Sequence, residues 1–497
     1  MATDPTDADT SLALASAPVR AGAPAKPAVA LPRLAGLFAG RRLPGLRVAA
    51  HPKAGRVALA TLLICTAIIV VFAATGDNVL VPRSYLDVPG WQSGPLHPLV
   101  KWLPRSYTLL SYGFSLLMVV MLIAYAVLLG SVRTVSMRSI AGFVLLAHAL
   151  ILLSPQLQLS DVWNYLGYAR LGALHHLNPY THTMLAEMHD PVYRFASWHN
   201  LSSPYGPLFT ALTYPLSFVP LPVAYWAVKV GTLLASLGFV AVVWRCATLL
   251  GRDPRYAVTF VAANPVYLMY AMAGFHNDFF MLLPATGAIV LVLSQRDRRA
   301  GAVLMLAVAV KFTAVILLPF LLLAARPARR RRAILIGAAL GALPLIALDL
   351  ALFGVSLPNL SQQSTLLTGF SFPQVVGLAI GIGGGTPGLL RLATVGVVLT
   401  VALLMWRGGD WISRAGWATV ALIASLSWLM PWYAIWVLPL AVLGTSLRLR
   451  RVALALTVYV LLTFIPSTAI WLSNHGINPL NTAVGQASSS LAQKLSR

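Results

Sequence analysis

Acidic side chains are nearly absent from this sequence. Its 497 residues include 13 Asp and Glu against 36 Lys and Arg, and Glu187 is the one glutamate. Charged residues make up 10% of the chain, against roughly 25% in a soluble domain, while 58% of it is hydrophobic. That balance excludes a soluble globular protein and indicates an all-α, polytopic membrane protein. Cysteine is scarce too: Cys65 and Cys246 both fall inside apolar runs, which excludes a disulfide framework. A nucleotide loop is also missing. Gly383-Gly384-Gly385 follows no strand and no Lys-Ser/Thr pair comes after it, so it reads as a hinge or turn.

The net charge of +23 does not imply nucleic acid, because the basic residues stand in short clusters between apolar runs. Arg133/Arg138, Arg252/Arg255, Arg296/Arg298/Arg299, Arg329 to Arg332, Arg407/Arg414 and Arg448/Arg450/Arg451 mark cytoplasmic turns by the positive-inside rule. Residues 1–55, rich in Ala and Pro, read as a disordered basic cytoplasmic tail. Residues 56–470 read as the membrane domain, with about 11–13 transmembrane helices including re-entrant or half-length ones. Residues 471–497 read as a tail on the outer face. The long polar loop over 154–206 is placed outside and holds five of the ten histidines.

One segment resists a simple crossing. Gly301 to Ala325 is long enough to span, since about 20 residues at 1.5 Å match a 30 Å core, but arginines crowd both its ends. A hairpin of two half-length helices, broken near Lys311-Phe312-Thr313, returns both ends to the cytoplasm. Broken helices persist at membrane depth only where they line protein or a cavity, and a lysine at the tip calls for an anion. A lysine snorkelling from a single span is the simpler alternative. Asn264-Pro265 should break another segment.

The scarcity of acids makes elimination informative. Asp4, Asp7 and Asp9 lie in the tail, and Asp253, Asp297 and Asp410 neighbour cytoplasmic arginines. Asp77, Asp87, Asp161, Glu187, Asp190, Asp278 and Asp349 are all expected outside. No carboxylate is placed at mid-membrane, where an ion-coupled transporter keeps its acids. Read as a helix, residues 160–170 put Asp161, Tyr165 and Tyr168 on one face, an arrangement suited to a helix lying on the bilayer surface with that face in water. An ordinary interfacial connector, anchored by its aromatics, fits the same stretch.

A set of short motifs occurs in order: Asp161-Val162-Trp163-Asn164-Tyr165, Leu177-Asn178-Pro179-Tyr180, Pro204-Tyr205-Gly206-Pro207-Leu208, His276-Asn277-Asp278, Val310-Lys311-Phe312-Thr313 and Pro431-Trp432-Tyr433. Together they resemble the GT-C membrane glycosyltransferases of family 87 type and the related polyprenol-phosphomannose-dependent α-1,6-mannosyltransferases. The resemblance implies a GT-C-like fold and inverting transfer of a sugar, mannose by analogy, from a polyprenyl-phosphate donor to a glycan or glycolipid acceptor. It places the active site on the outer face of the plasma membrane and an outer-face Asp as general base, for which Asp161 is the matching position. In many such enzymes that Asp follows the first span directly. Here two more spans intervene, so Asp77 and Asp87 stay open for the role.

Such a reaction needs a carboxylate to accept the acceptor proton and cations or a metal to meet the leaving phosphate. Lys311, Arg391 and Lys229 are the expected phosphate partners. Asn277 and Asp278 would bind sugar hydroxyls or orient His276, and Tyr165, Tyr168, Trp163 and Trp198 would stack on sugar rings or anchor in the membrane interface. Asp278 is equally placed to cap the helix that follows it. A divalent metal would use His175/His176 or His276 with Asp278, although their spacing matches no strong ligand motif. The rival reading is a lipid or sugar flippase of the cell envelope without transferase activity.

Overall fold

The computed structural model describes residues 53–82, 88–358 and 360–496. The expected tail therefore lies almost wholly outside the described residues, as do Asp87 and Asn359. Every regular element among the described residues is helical. Among the described residues five helices are long and apolar enough to cross a membrane: Ala54–Ala73, Tyr107–Thr134, Leu221–Leu249, Ala328–Phe353 and Pro387–Trp406. Leu447–Phe464 and Pro466–Asn474 make a sixth if the pair, bent by 56°, is one span. This is fewer than the eleven to thirteen expected. The shortfall lies in segments that are apolar but short or interrupted, among them Met137–Leu153, Asp278–Leu293, Phe312–Ala324 and Pro431–Leu443.

Two of the interruptions follow from local chemistry. Asn264-Pro265 separates an α-helix over Pro254–Ala262 from a π-helical turn over Val266–Met272. Pro265 has no N–H to continue the ladder. The Asn264 side chain stands in, accepting from the Val266 N–H at 2.9 Å and donating to Thr457 Oγ1 at 3.0 Å. Nearby, the Tyr125 hydroxyl donates to the Phe260 carbonyl.

The second interruption is the hairpin. The Asp297–Val310 helix ends at Lys311, which is extended at φ −151°, ψ 115°. A 3-10 turn over Phe312–Leu317 and a helix over Leu318–Ala324 follow. Asp297 pairs with Arg330 at 2.7 Å, so the chain has returned to its starting side by residue 330. The Asp297–Val310 and Ala328–Phe353 helices consequently run parallel, with Gly337 against the Arg298 backbone and Gly341 against Ala302. A Cβ on Gly337 would meet the Arg298 carbonyl oxygen at 1.8 Å. Both helices are shaped by that close crossing. Lys311 stands at the tip, about 21 Å along the axis from the helix start at 1.5 Å per residue.

The arginine-rich turns gather at one end: Arg255 donates to the Arg133 carbonyl, and Arg252 and Arg450 both reach the Gly444 carbonyl. The loop over 154–206 folds at the other end. Within it the Asp161–Ala173 helix differs from expectation. Val162 to Ala169 and Leu171 are all buried, so the helix is enclosed in protein instead of lying open on a bilayer surface. Its aromatic residues find protein partners before they can find water.

Candidate active site

Asp161 opens its helix, where the unpaired N–H groups favour an anion. Its Oδ2 lies 2.9 Å from His276 Nδ1, with the aspartate side chain 19% exposed and the histidine 2%. That geometry puts the Nδ1 proton toward the carboxylate. The imidazole lies flat on Trp432, with ring centroids 3.7 Å apart. His276 is presented by a tight turn in which Phe275 adopts φ 53°, a left-handed conformation uncommon outside glycine.

The next two residues complete the cluster. The Asn277 N–H donates to the Tyr165 hydroxyl at 3.1 Å. Asp278 Oδ1 receives the Lys311 ammonium at 2.8 Å and the Trp436 indole N–H. Asp278 is 1% exposed and Lys311 is 21%, and the ammonium also sits over the Tyr433 and Trp436 rings. Asp278 does not cap the helix it begins, since the N-cap position is Asn277 with no side-chain cap bond. Three buried polar atoms here have no partner: Asn277 Nδ2, Asp278 Oδ2 and Thr313 Oγ1. Thr313 opens into an apolar cavity lined by Met281, Ala285, Leu317, Leu422 and Trp436. A second apolar groove shares Thr313, Ile316 and Leu422 and runs to Val397, Val398 and Val401, on a helix that buries none of its residues in the protein.

The loop motifs hold this arrangement together. Gly206 donates its N–H to the Val310 carbonyl, one residue before Lys311, and a Cβ there would meet the Ala309 oxygen at 2.2 Å. Only glycine lets the Pro204–Leu208 segment seat on the hairpin tip. Asn178 donates to the Phe353 carbonyl at 2.7 Å and accepts from Tyr180 N–H, while the Tyr180 hydroxyl donates to the Tyr205 carbonyl. Arg170 and His175 contact Asp190 at 2.9 and 2.8 Å, and His175 also lies 3.4 Å from Glu187. Burial alone would raise the Asp190 pKa, but hydrogen bonds from His175, the Val192 N–H and Arg170 outweigh it and hold the carboxyl below its usual value.

Several expected site residues are placed elsewhere. Lys229 is fully buried, its ammonium on the Leu152 and Ser154 carbonyls and 3.6 Å from the Trp226 ring centroid. It closes the end of the Met137–Leu153 helix, and no exposed face is left for a phosphate. Arg391 stands exposed near the start of Pro387–Trp406. Tyr168 is 1% exposed and donates to the Leu201 carbonyl. Trp163 is sandwiched by Phe195 and Tyr225, and Tyr165 is 2% exposed against Tyr205 and Phe209. Burial first, then the Asp161 carboxylate, pushes the Tyr165 phenol well above its ordinary pKa, so it stays neutral. These rings are walls, not open stacking surfaces. Trp198 is half-buried beside Trp428, and Asp77 is exposed after the first helix. No group of three or more His, Cys, Asp or Glu positioned to hold a metal occurs among the described residues.

Trp432 and Trp436 had no assigned role in the sequence. Their spacing of four within Pro431–Trp436 was the available signal: two indoles close in sequence, on an element too short to be a membrane anchor.

The chain was compared with known proteins. Residues 48–327 match the family model of the MptA/B family, described as the N-terminal domain of alpha-(1->6)-mannopyranosyltransferase. Alpha-(1->6)-mannopyranosyltransferase A of Mycobacterium tuberculosis is 30% identical over 306 residues, 54% of this chain and 58% of that protein. The protein of the same name from Corynebacterium glutamicum is 30% identical over 126 residues, 25% of this chain and 26% of its own length. The chain thus spans less than two thirds of these relatives. No solved structure matches it. With more than half of its length matched, site turn and hairpin included, the chain belongs to the MptA/B alpha-(1->6)-mannopyranosyltransferase family.

Proposed function

We propose that this protein is a membrane mannosyltransferase that moves mannose from a polyprenyl-phosphate donor to a hydroxyl of a glycan or glycolipid acceptor. The reading places the arginine-rich end in the cytoplasm, by the positive-inside rule, and the reaction at the outer face. Asp161 acts as general base. The acceptor oxygen bonds to the sugar C1 as the bond from C1 to the phosphate oxygen breaks, with inversion. The proton passes to Asp161, and the negative charge stays on the departing polyprenyl phosphate.

The single observation that carries this reading is the convergence of Asp161 and Lys311 on one three-residue turn, Asp161 at His276 and Lys311 at Asp278. His276 engages one carboxylate oxygen of Asp161 and so orients the other. An ammonium has three N–H donors; one goes to Asp278, and the accessible part of Lys311 can meet a phosphate. Thr313 and Asn277 offer unpartnered polar atoms beside it. The apolar cavity and groove beginning at Thr313 suit a polyprenyl tail entering from lipid.

The test is transfer in reconstituted membranes from polyprenyl-phosphate mannose to a manno-oligosaccharide or glycolipid acceptor, wild type against Asp161→Asn. The reading expects transfer by the wild type and its loss in the variant. Transfer that persists at near wild-type rate in Asp161→Asn would move the base elsewhere, and transport without transfer would favour a flippase.

A further inference from the structure

Two tryptophans outside the catalytic cluster meet beside a small apolar cluster of their own. Trp198 and Trp428 meet edge to face, with ring centroids 5.9 Å apart and planes at 75°. Both are half-buried. Trp102, Trp226 and Trp436 each give their indole N–H to a protein acceptor. Trp198 and Trp428 have no such bond among the described residues, and neither nitrogen is a buried unpartnered atom. Both N–H groups are therefore accessible at the protein surface.

A tryptophan near a membrane is ordinarily a headgroup anchor, but the cover over this pair argues against that here. The Ala483–Ser496 helix lies on it, with Leu495 packed against Leu201 and Leu366 and both tryptophans against the same cluster. The Leu495 and Ser496 carbonyls accept from Asn200 N–H and His199, and the Ser488 hydroxyl accepts from Leu367 N–H. The helix turns Gln486, Ser490, Gln493 and Lys494 outward. A helix immersed in lipid would expose apolar residues and bury these.

The pair is also tied to the catalytic segments. Ser197, next to Trp198, bonds through its hydroxyl to Ser160, and its N–H donates to Asn164. Asp161 follows Ser160 directly. Counting 3.8 Å between neighbouring Cα atoms, this path keeps the Trp198 backbone within about 15 Å of Asp161, the reach of two or three pyranose rings. Trp428 lies shortly before Trp432 in the chain, the residue under His276.

We propose that Trp198 and Trp428, packed beside the Leu491, Ala492 and Leu495 face of Ala483–Ser496, form a carbohydrate subsite for the non-reacting units of an oligosaccharide acceptor. An indole face accepts the apolar C–H face of a pyranose, while its N–H serves a hydroxyl. The subsite selects for acceptor length and leaves the chemistry to Asp161. It rests on the transferase reading above.

Binding is measured without turnover, using full-length Asp161→Asn protein in nanodiscs and mannose oligomers of two to six units. Affinity is expected to rise with length. Adding Trp198→Ala and Trp428→Ala together should weaken hexasaccharide binding by at least about tenfold, with a smaller loss for the disaccharide, and the paired Phe substitutions should restore part of it. In the catalytically intact background the same Ala pair should raise KM for long acceptors more than it lowers kcat. An equal loss at every length, or unchanged length dependence in the double variant, overturns the subsite. Absence of transfer by the wild type, with length-dependent binding intact, would instead strike the transferase reading alone.

Discussion

The two carboxylates of the site are linked through one short turn, Asp161 by its contact with His276 and Asp278 as the turn's last residue, yet they are built for different tasks. Asp161 is partly exposed and held through one oxygen by the His276 imidazole. Asp278 is sealed in, with Lys311 and Trp436 sharing one of its oxygens. A carboxylate that must take up a proton needs access and a partner that tolerates the change. One locked to an ammonium in a dry site is better suited to holding that ammonium in place. The comparison supports the proposal that the partly exposed acid is the base and the buried pair the phosphate-facing scaffold.

The sharpest way to break this contrast is to neutralise each acid in turn. Asp161→Asn should lower kcat by at least about 100-fold, the low end of general-base effects, with donor affinity and thermal stability near wild type. Lys311→Ala is expected to act on folding first: a buried carboxylate left unpaired costs about 3–5 kcal/mol, measurable as lower yield and an earlier melting transition in detergent. Adding Asp278→Asn to Lys311→Ala should recover part of that stability and none of the donor binding. If Asp161→Asn were the unstable variant and Lys311→Ala the stable but inactive one, the roles would be reversed.

Smaller effects sharpen the picture around the pair. Leu422→Trp, which fills the groove shared with Thr313 and Ile316, should raise KM about tenfold for long-chain donors and much less for a short-chain analogue, read from transfer kinetics with both. The smallest effect is expected at Asp190. Its folded pKa is depressed, so it stabilises the loop above the ordinary carboxylate value of about 3.9 and loses that contribution as pH falls through the lower folded value. Limited proteolysis of the 184–196 loop should be faster in Asp190→Asn than in wild type at neutral pH, and the difference should vanish under strongly acidic conditions.

How much of this was legible beforehand varies by residue. The helical membrane architecture was readable from the apolar runs, and the arginines crowding both ends of 301–325 favoured a hairpin at Lys311 over a single crossing. The break at Asn264-Pro265 was readable for a different local reason, since proline has no N–H to continue the ladder. Asp161, His276, Asn277, Asp278 and Lys311 were named individually and do converge. Lys229 was misread: a lysine inside an apolar run looks like a ligand group, and only the fold reveals the Leu152 and Ser154 carbonyls waiting for it. Tyr168 and Trp163 looked like sugar platforms until their helix proved to be enclosed. Trp436 went unassigned because its partner, Asp278, is far away in the chain.

The sequence by itself determined that the chain is helical and largely apolar, with its arginines clustered between apolar runs. Transfer free energy and the charge rule act segment by segment, and they sum over many residues without needing a neighbour. Tertiary structure alone decided which acid meets the histidine and which the lysine, and which aromatics remain open. Those outcomes turn on distances of about 3 Å between segments that are well separated in the chain, and no local pattern encodes such a distance.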